Sequence, residues 1–253
     1  MASKSTISFL RSLQLKKFRH QEGLFVVEGP KLVSDLLKSD FKVRQLYALS
    51  EWERPSGLNT EVEIISPSEM ERVSSMQTPN KVMAVVEMPD LTGPVPALQE
   101  GLHLLLDQIQ DPGNLGTIIR IADWFGVSSI ICSMDTADLF NPKVLQATMG
   151  SVFHTNIYYS SIADVLLNNA NSKRWPVYAT KLNGENIYKV NFDSSCFMIL
   201  GNESRGVNPI LNSFISMGIQ IPRPINKTSK AESLNVAVAA GIVCSEYCRK
   251  INP

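Results

Sequence analysis

The sequence is short of what a metal centre or a disulfide framework needs. Its four cysteines, Cys132, Cys196, Cys244 and Cys248, form no C-x-x-C pair. Cys244 and Cys248 stand one helical turn apart, but no nearby histidine or second cysteine pair completes a zinc set. Reduced thiols packed in a core are the expected outcome, and no metal site is expected. The three histidines, His20, His103 and His154, are equally scattered. No run approaches the ~18 consecutive apolar residues of a membrane span. The opening MASKSTISFLRSLQLKKF lacks the long apolar core of a secretory signal. No membrane partner is expected, and the chain reads as cytoplasmic. An excess of one charge is also missing, since 24 Lys and Arg balance 24 Asp and Glu. That argues against a nonspecific polyanion binder without excluding RNA, because local patches decide.

What is present is enough apolar residue, 44% of 253, to bury a core in one large domain or two ordinary ones. Residues 1–20 carry Lys4, Arg11, Lys16, Lys17 and Arg19 and no acid. They read equally as a solvated helix face or as an arm that touches phosphates. Between residues 88 and 99, MPDLTGPVPALQ holds three prolines, which stop helices and central strands alike. It reads as a short stiff linker between domains at 1–95 and 96–253.

Before the linker, FVVEG (25–29), VRQLYAL (43–49), VEIIS (62–66) and VMAVVEM (82–88) read as strands. PKLVSDLLKS (30–39) has helical spacing, and SPSEMERV opens as a capped helix. This is a small α/β unit. After the linker, LHLLLD (102–107) is a continuous apolar run, as in a strand covered on both faces. Further strands are expected at 127–133, 155–160, 176–182, 196–201 and 218–223, with helices at 115–125, 142–150, 161–171 and 233–250. Such alternation implies an α/β fold with a mostly parallel sheet.

Parallel sheets bind ligands at the carboxyl ends of their strands. Three segments fall there. In DQIQDPGNLG (107–116), Pro112 and Gly113 turn the chain and Asn114 is placed to cap the helix that follows. Leu115, Ile118, Ile119 and Ala122 form that helix's buried stripe, and Arg120 falls off it. The G-x-G-x-x-G dinucleotide fingerprint is absent, which argues against an unrelated nucleotide-dependent enzyme. In ILGNESRGV (199–207), Gly201 and Gly206 allow close backbone approach, and Glu203 and Arg205 put opposite charges in a tight turn. IPRPINKTSKAESLN (221–235) leads into a last helix lined by Ala237, Ala240, Gly241 and Cys244. Taken singly, each feature also has a plain structural reading: a cap, a surface ion pair, a turn.

Together, in this order, DPGNLGTIIRIADWFG, LGNESRGV and IP…ESLNVAVAA resemble the three motifs of the SpoU (TrmH-like) family of RNA ribose methyltransferases, within the SPOUT superfamily. The resemblance runs through about residues 100–250, and NPKVLQATMGSVFH (141–154) resembles the family's helix between motifs. KKFRHQEGLFVVEGPKLVSDLL is similar, more weakly, to the family's substrate-binding domain, itself like a small ribosomal protein. Two departures stand out. The segment between Pro222 and Ser233 is longer than usual and contains Lys227 and Lys230, and Ser204 stands where glycine is common.

The resemblance implies a C-terminal domain threaded into a deep trefoil knot, within about residues 176–245. S-adenosyl-L-methionine would be held around Thr180, Leu200, Gly201, Ile221 and Leu234. It implies methylation of a ribose 2′-hydroxyl in RNA, ribosomal RNA before tRNA, by a homodimer paired through the catalytic domain. Arg120 matches the motif arginine. Because its guanidinium stays protonated near neutral pH, it suits an alkoxide or phosphate better than a proton. Glu203 would orient Arg120, while Asn114, Ser233 and Asn235 would align the ribose. A non-enzymatic RNA-binding protein on the same fold is the alternative. The joint presence of Asn114, Arg120, Glu203, Ser233 and Asn235 argues against it.

Overall fold

The computed structural model describes residues 3–57, 60–173, 175–223 and 232–251. In chain order its elements are α1 (Lys4–Ser12), α2 (Lys16–Glu22), β1 (Leu24–Glu28), α3 (Pro30–Leu36), β2 (Val43–Ala48), β3 (Val62–Ile64), α4 (Pro67–Val73) and β4 (Val82–Glu87). Then come β5 (Leu102–Leu106), α5 (Pro112–Trp124), β6 (Ser129–Cys132), α6 (Pro142–Thr148), β7 (Ile157–Tyr159) and α7 (Ile162–Asn171). The chain closes with β8 (Val177–Asn186), β9 (Cys196–Leu200), β10 (Met217–Gln220) and α8 (Val236–Ile251).

These elements fall into two compact units, residues 1–90 with 138–154, and residues 91–137 with 155–253. The first holds a four-stranded sheet ordered β1-β4-β2-β3. In it β4 runs antiparallel to β1 and β2, and β3 runs parallel to β2. The helix expected after Ser66 carries a full capping box: Ser66 accepts from the Glu69 amide, and the Glu69 carboxylate accepts from the Ser66 amide. Ile7 and Leu10 of α1, with Leu13 behind them, pack against Met70, Val73, Met83 and Val85.

Of the five N-terminal basic residues, Arg19 is not on a solvated face. It is buried, donates to the carbonyls of Leu13 and Gln14 at 3.0 and 2.7 Å, and pairs with Asp138. Lys4, Arg11, Lys16 and Lys17 are exposed.

The structure groups residues 138–154 with the first unit, whereas the sequence pattern places them in a domain running from 96 to 253. The physical reason is packing. The rings of Phe25 and Phe140 lie 4.4 Å apart between centroids, those of Phe41 and Phe153 lie 5.4 Å apart, and the Gln146 side chain donates to the Glu28 carbonyl. Periodicity reports that α6 has a buried face, not what buries it.

The second unit is a six-stranded sheet ordered β10-β8-β9-β5-β6-β7, with every pairing parallel. Leu105, Ile131, Val177 and Ile199 point to the face covered by Ile162, Val165 and Leu166 of α7. The alternate residues Leu104, Leu106, Ile130 and Met198 point the other way and are as fully buried. Both faces are therefore covered, which is why the strands read as unbroken apolar runs. The linker is not a free tether. The Tyr159 amide donates to the Leu91 carbonyl, and Val95 and Leu98 pack on the core.

One strand departs from regular pairing. β10 pairs with β8 at Tyr178 and Ala179, then resumes at Glu185 and Asn186, so residues 180–184 leave the ladder. Gly184 permits the return: a Cβ there would lie 2.6 Å from the backbone of Ile219. Among the described residues no helix is long and apolar enough to cross a membrane.

Candidate active site

The register sets the site's position. Leu106 of β5 pairs with Cys132 on one side and Leu200 on the other, so these strands end level. The loops after β5 and β9 therefore emerge side by side.

The first of these loops ends in α5, which begins at Pro112, earlier than its apolar stripe suggests. Proline's fixed φ and missing donor suit the first helical position. The capping role expected of Asn114 belongs instead to Asp111, whose Oδ1 accepts from the Asn114 amide at 2.8 Å. The correction matters chemically, because it leaves the Asn114 side chain free. Its Nδ2 donates to Glu203 Oε1 at 2.9 Å, and its Oδ1 accepts from Asn235 Nδ2 at 2.8 Å.

Asn235 is the residue that caps α8. Its Oδ1 accepts from the amides of Ala237 and Val238 at 2.9 and 3.2 Å. This determines which way each amide faces. With Oδ1 of Asn235 committed to N–H donors, only its Nδ2 can meet Asn114, which must present oxygen to it and nitrogen to Glu203. One hydrogen-bonded row thus joins all three strand-end segments.

The loop after β9 closes on itself. Asn202 and Gly206 exchange backbone hydrogen bonds of 3.0 and 2.9 Å. Gly201 has no space for a side chain: a Cβ would lie 2.4 Å from Gly206 C and Val207 N. Among the described residues the backbones of Gly201, Ile221 and Leu234 form no hydrogen bond. Thr180 Oγ1 donates to the Ile199 carbonyl at 3.3 Å. Leu200 is fully buried, Ile221 is half-buried and Leu234 is exposed. Ser233 and Leu234 lie ahead of α8, which starts at Val236 rather than at 233. Lys227 and Lys230 lie outside the described residues.

Arg120 stands apart. Its side chain is exposed and makes no hydrogen bond or ion pair among the described residues, so the expected pairing with Glu203 is not formed within the chain. Six residues beyond Asn114, it is about 9 Å along the helix axis and turned by about 120°. It shares its stripe with Trp124, which is 84% exposed.

Two further residues of this end of the sheet carry no role in the motif reading. Asp107 is buried at the end of β5 and accepts from the Asn208 amide at 2.6 Å. Burial pushes its carboxyl above the usual carboxylate range, Asn208 opposes this and nearby Asp135 adds to it. An acid ending a largely apolar strand is the sequence signal for such a buried charge. The second is Asn202, whose place directly after Gly201 and two residues before Ser204 is a turn signal. A cavity of about 640 Å³ between the linker and α7, lined by Pro94, Val95, Asp164, Asn168 and Trp175 among others, contains none of the expected site residues. Among the described residues no cluster of His, Cys, Asp or Glu is placed to hold a metal ion.

Residues 101–245 match the model of the SpoU rRNA methylase family, and residues 4–84 match that of the MRM3-like substrate-binding domain. The chain is 34% identical over 236 residues, 92% of each protein, to the 23S rRNA (guanosine(2553)-2′-O)-methyltransferase RlmP of Bacillus subtilis. It is 28% identical to the 23S rRNA (uridine(2479)-2′-O)-methyltransferase of Streptomyces viridochromogenes, over 92% of this chain and 85% of that one. Among solved structures, a TrmH-family protein from Porphyromonas gingivalis is 38% identical with a TM-score of 0.85, covering 99% of both chains. The AdoMet-bound rRNA methyltransferase from Sinorhizobium meliloti is 28% identical with a TM-score of 0.86, covering 100% of this chain and 98% of that one.

Proposed function

Given that the chain belongs to the SpoU rRNA methylase family, we propose that it is an RNA (ribose-2′-O)-methyltransferase that uses S-adenosyl-L-methionine and acts on ribosomal RNA. The observation that carries this reading is the row Asn235–Asn114–Glu203, which unites the three strand-end segments at the carboxyl edge of the sheet. The relatives named for 23S rRNA favour a ribosomal substrate over tRNA.

The residues present fit the cofactor. Gly201 packs backbone on backbone, and the main-chain groups of Gly201, Ile221 and Leu234, which form no hydrogen bond among the described residues, suit a ligand read by main-chain hydrogen bonds. With Thr180 and Leu200 they would hold S-adenosylmethionine. When bound, it supplies a methyl group on a sulfonium cation, an electrophile that needs no metal to activate it. The chain's part is to align the hydroxyl and stabilise its developing charge. Asn114, Ser233 and Asn235 align the ribose, and Glu203 holds the Asn114 amide in place. Arg120 grips the adjacent phosphate and stabilises the alkoxide.

The separation of Arg120 from Asn114 supports a site completed by a second copy of the chain. Trp124 at 84%, Leu234 at 51% and Val238 at 52% exposure supply apolar surface on α5 and around α8 for such a homodimer. A trefoil knot within residues 176–245 follows from family membership, and Gly184, where a Cβ would lie 2.6 Å from the Ile219 backbone, lets β8 and β10 approach closely within that stretch. Residues 1–95 select the RNA through exposed Lys4, Arg11, Lys16 and Lys17. The 23S rRNA methyltransferases of Bacillus subtilis and Streptomyces viridochromogenes among its relatives favour the cytoplasm as the compartment of action.

The test is methyl transfer from labelled S-adenosylmethionine to total RNA of a strain lacking this gene, followed by mapping of 2′-O-methyl groups. A single new methyl in large-subunit rRNA is expected. Label on tRNA would favour the tRNA reading, and no label in any RNA would refute enzymatic activity. Mixing Arg120→Ala subunits with Glu203→Gln subunits should restore part of the activity if sites are shared.

A further inference from the structure

The loop that carries Glu203 is held by the side chain next to it. The Asn202 side chain makes three hydrogen bonds, of the four an asparagine amide can form. Its Oδ1 accepts from the amides of Ser204 and Arg205 at 3.0 and 3.1 Å, and its Nδ2 donates to the Gln108 carbonyl at 2.9 Å. Its backbone completes the two-bond closure with Gly206. Gln108 is itself unusual: its φ is +59°, one of two positive values among non-glycine residues described. It is fixed from both sides, since its amide donates to Ser133 Oγ at 2.9 Å while its carbonyl receives Asn202. Asn202 therefore ties the loop after β9 to the end of β5 and, through Ser133, to the end of β6.

We infer that Asn202 is a positioning residue for methyl transfer, acting through Glu203. The inference rests on the reading of Glu203 as part of the methyltransferase site. The chain of dependence is short. Asn202 sets the turn, the turn sets the Glu203 carboxylate, and that carboxylate receives Asn114 Nδ2. The arrangement is also selective for asparagine. Aspartate would keep the acceptor for Ser204 and Arg205 but place an oxygen against the Gln108 carbonyl, where only a donor is satisfied. Alanine would remove both functions. Asp107 bounds the same loop from its far end by accepting from Asn208, so a change at Asn202 leaves the loop anchored there.

The experiment uses full-length Asn202→Asp and Asn202→Ala, each alone and combined with Glu203→Gln. Single-turnover methyl transfer, KM for RNA and amide hydrogen exchange in cofactor-free protein are measured, and folding is checked by thermal melting. Misplacement of an aligned group by about 1 Å costs ~10²-fold in rate, so kcat should fall by tenfold or more in both variants. KM for RNA should change by less than about threefold, since Asn202 touches no proposed RNA contact. In the Glu203→Gln background the Asn202 substitutions should add little further loss, the signature of residues acting as a unit. Exchange at Ser204 and Arg205 should rise in Asn202→Ala but stay near wild type in Asn202→Asp. An unchanged kcat, or an equal fractional loss with and without Glu203, would overturn the inference. So would unaltered exchange in Asn202→Ala. If the alanine variant does not fold, the aspartate variant and its cycle decide. Wild-type protein that methylates no RNA would defeat the functional reading, while the exchange measurement would still report whether Asn202 holds the loop.

Discussion

Asn235 donates its side-chain amide to Asn114 Oδ1 at 2.8 Å across 121 residues of sequence. The same Asn235 caps α8 through its Oδ1, so a helix start and a strand-end loop are fixed by one side chain. Asn235→Asp should keep the cap and lose the donor. Methyl transfer should drop by ~10²-fold with melting nearly unchanged, whereas Asn235→Ala should also lose about 1 kcal/mol of stability with the cap. Denaturant unfolding alongside the methyl assay separates the two losses.

Arg120→Ala should abolish methyl transfer while S-adenosylmethionine affinity survives. Arg120 lies outside the segments proposed to hold the cofactor and has no partner among the described residues. Arg120→Lys should restore little, because a single ammonium does not replace a planar fork of donors. Calorimetric loss of cofactor affinity in Arg120→Ala would contradict the assignment.

Gly201→Ala should weaken cofactor binding by about tenfold or more, since 1.4 kcal/mol suffices for that factor. The added Cβ would lie 2.4 Å from the Gly206 and Val207 backbone, so the loop has to shift. Titration calorimetry checks this, with Gly206→Ala as a comparison: Gly206 meets nothing within 4 Å, but its φ is +70°.

Stability should fall as pH drops below about 6.5, the ordinary histidine value. His103 is buried, stacks on Trp175 and bonds to Ser129 and the Gln99 carbonyl. Burial lowers its pKa, the Gln99 hydrogen bond opposes this, and Lys173 lowers it further. Between the folded value and 6.5 the unfolded chain binds more protons, so unfolding gains as pH falls and the stability is intact above that window. Chemical denaturation between pH 5 and 8 should show the slope, and His103→Gln should flatten it.

Residues 96–253 expressed alone should aggregate or bind a hydrophobic dye. They include 138–154, whose Phe140 and Phe153 pack on Phe25 and Phe41, and whose Asp138 pairs with Arg19. Removing residues 1–95 strips those partners away and leaves an apolar segment uncovered. A soluble, dye-negative fragment with native melting would show that this packing is dispensable.

The sequence by itself determined the elements and the ends at which chemistry could sit. Apolar runs mark the strands, 3.6-residue spacing marks α3 and α5, and Ser66 with Glu69 announces the start of α4. These signals are local, because each arises from hydrogen bonds and burial within one segment. Which segments meet was decided only by tertiary structure. Asn114 looked like a cap because a cap needs only its near neighbours. Its bonds to Glu203 and Asn235 depend on closing the chain over 89 and 121 residues, which no periodicity encodes. The same reason hid the place of 138–154 and the clamp of Asn202 on Gln108. A pattern states that a face is buried or a donor is present; the partner that satisfies it is chosen by how the whole chain packs.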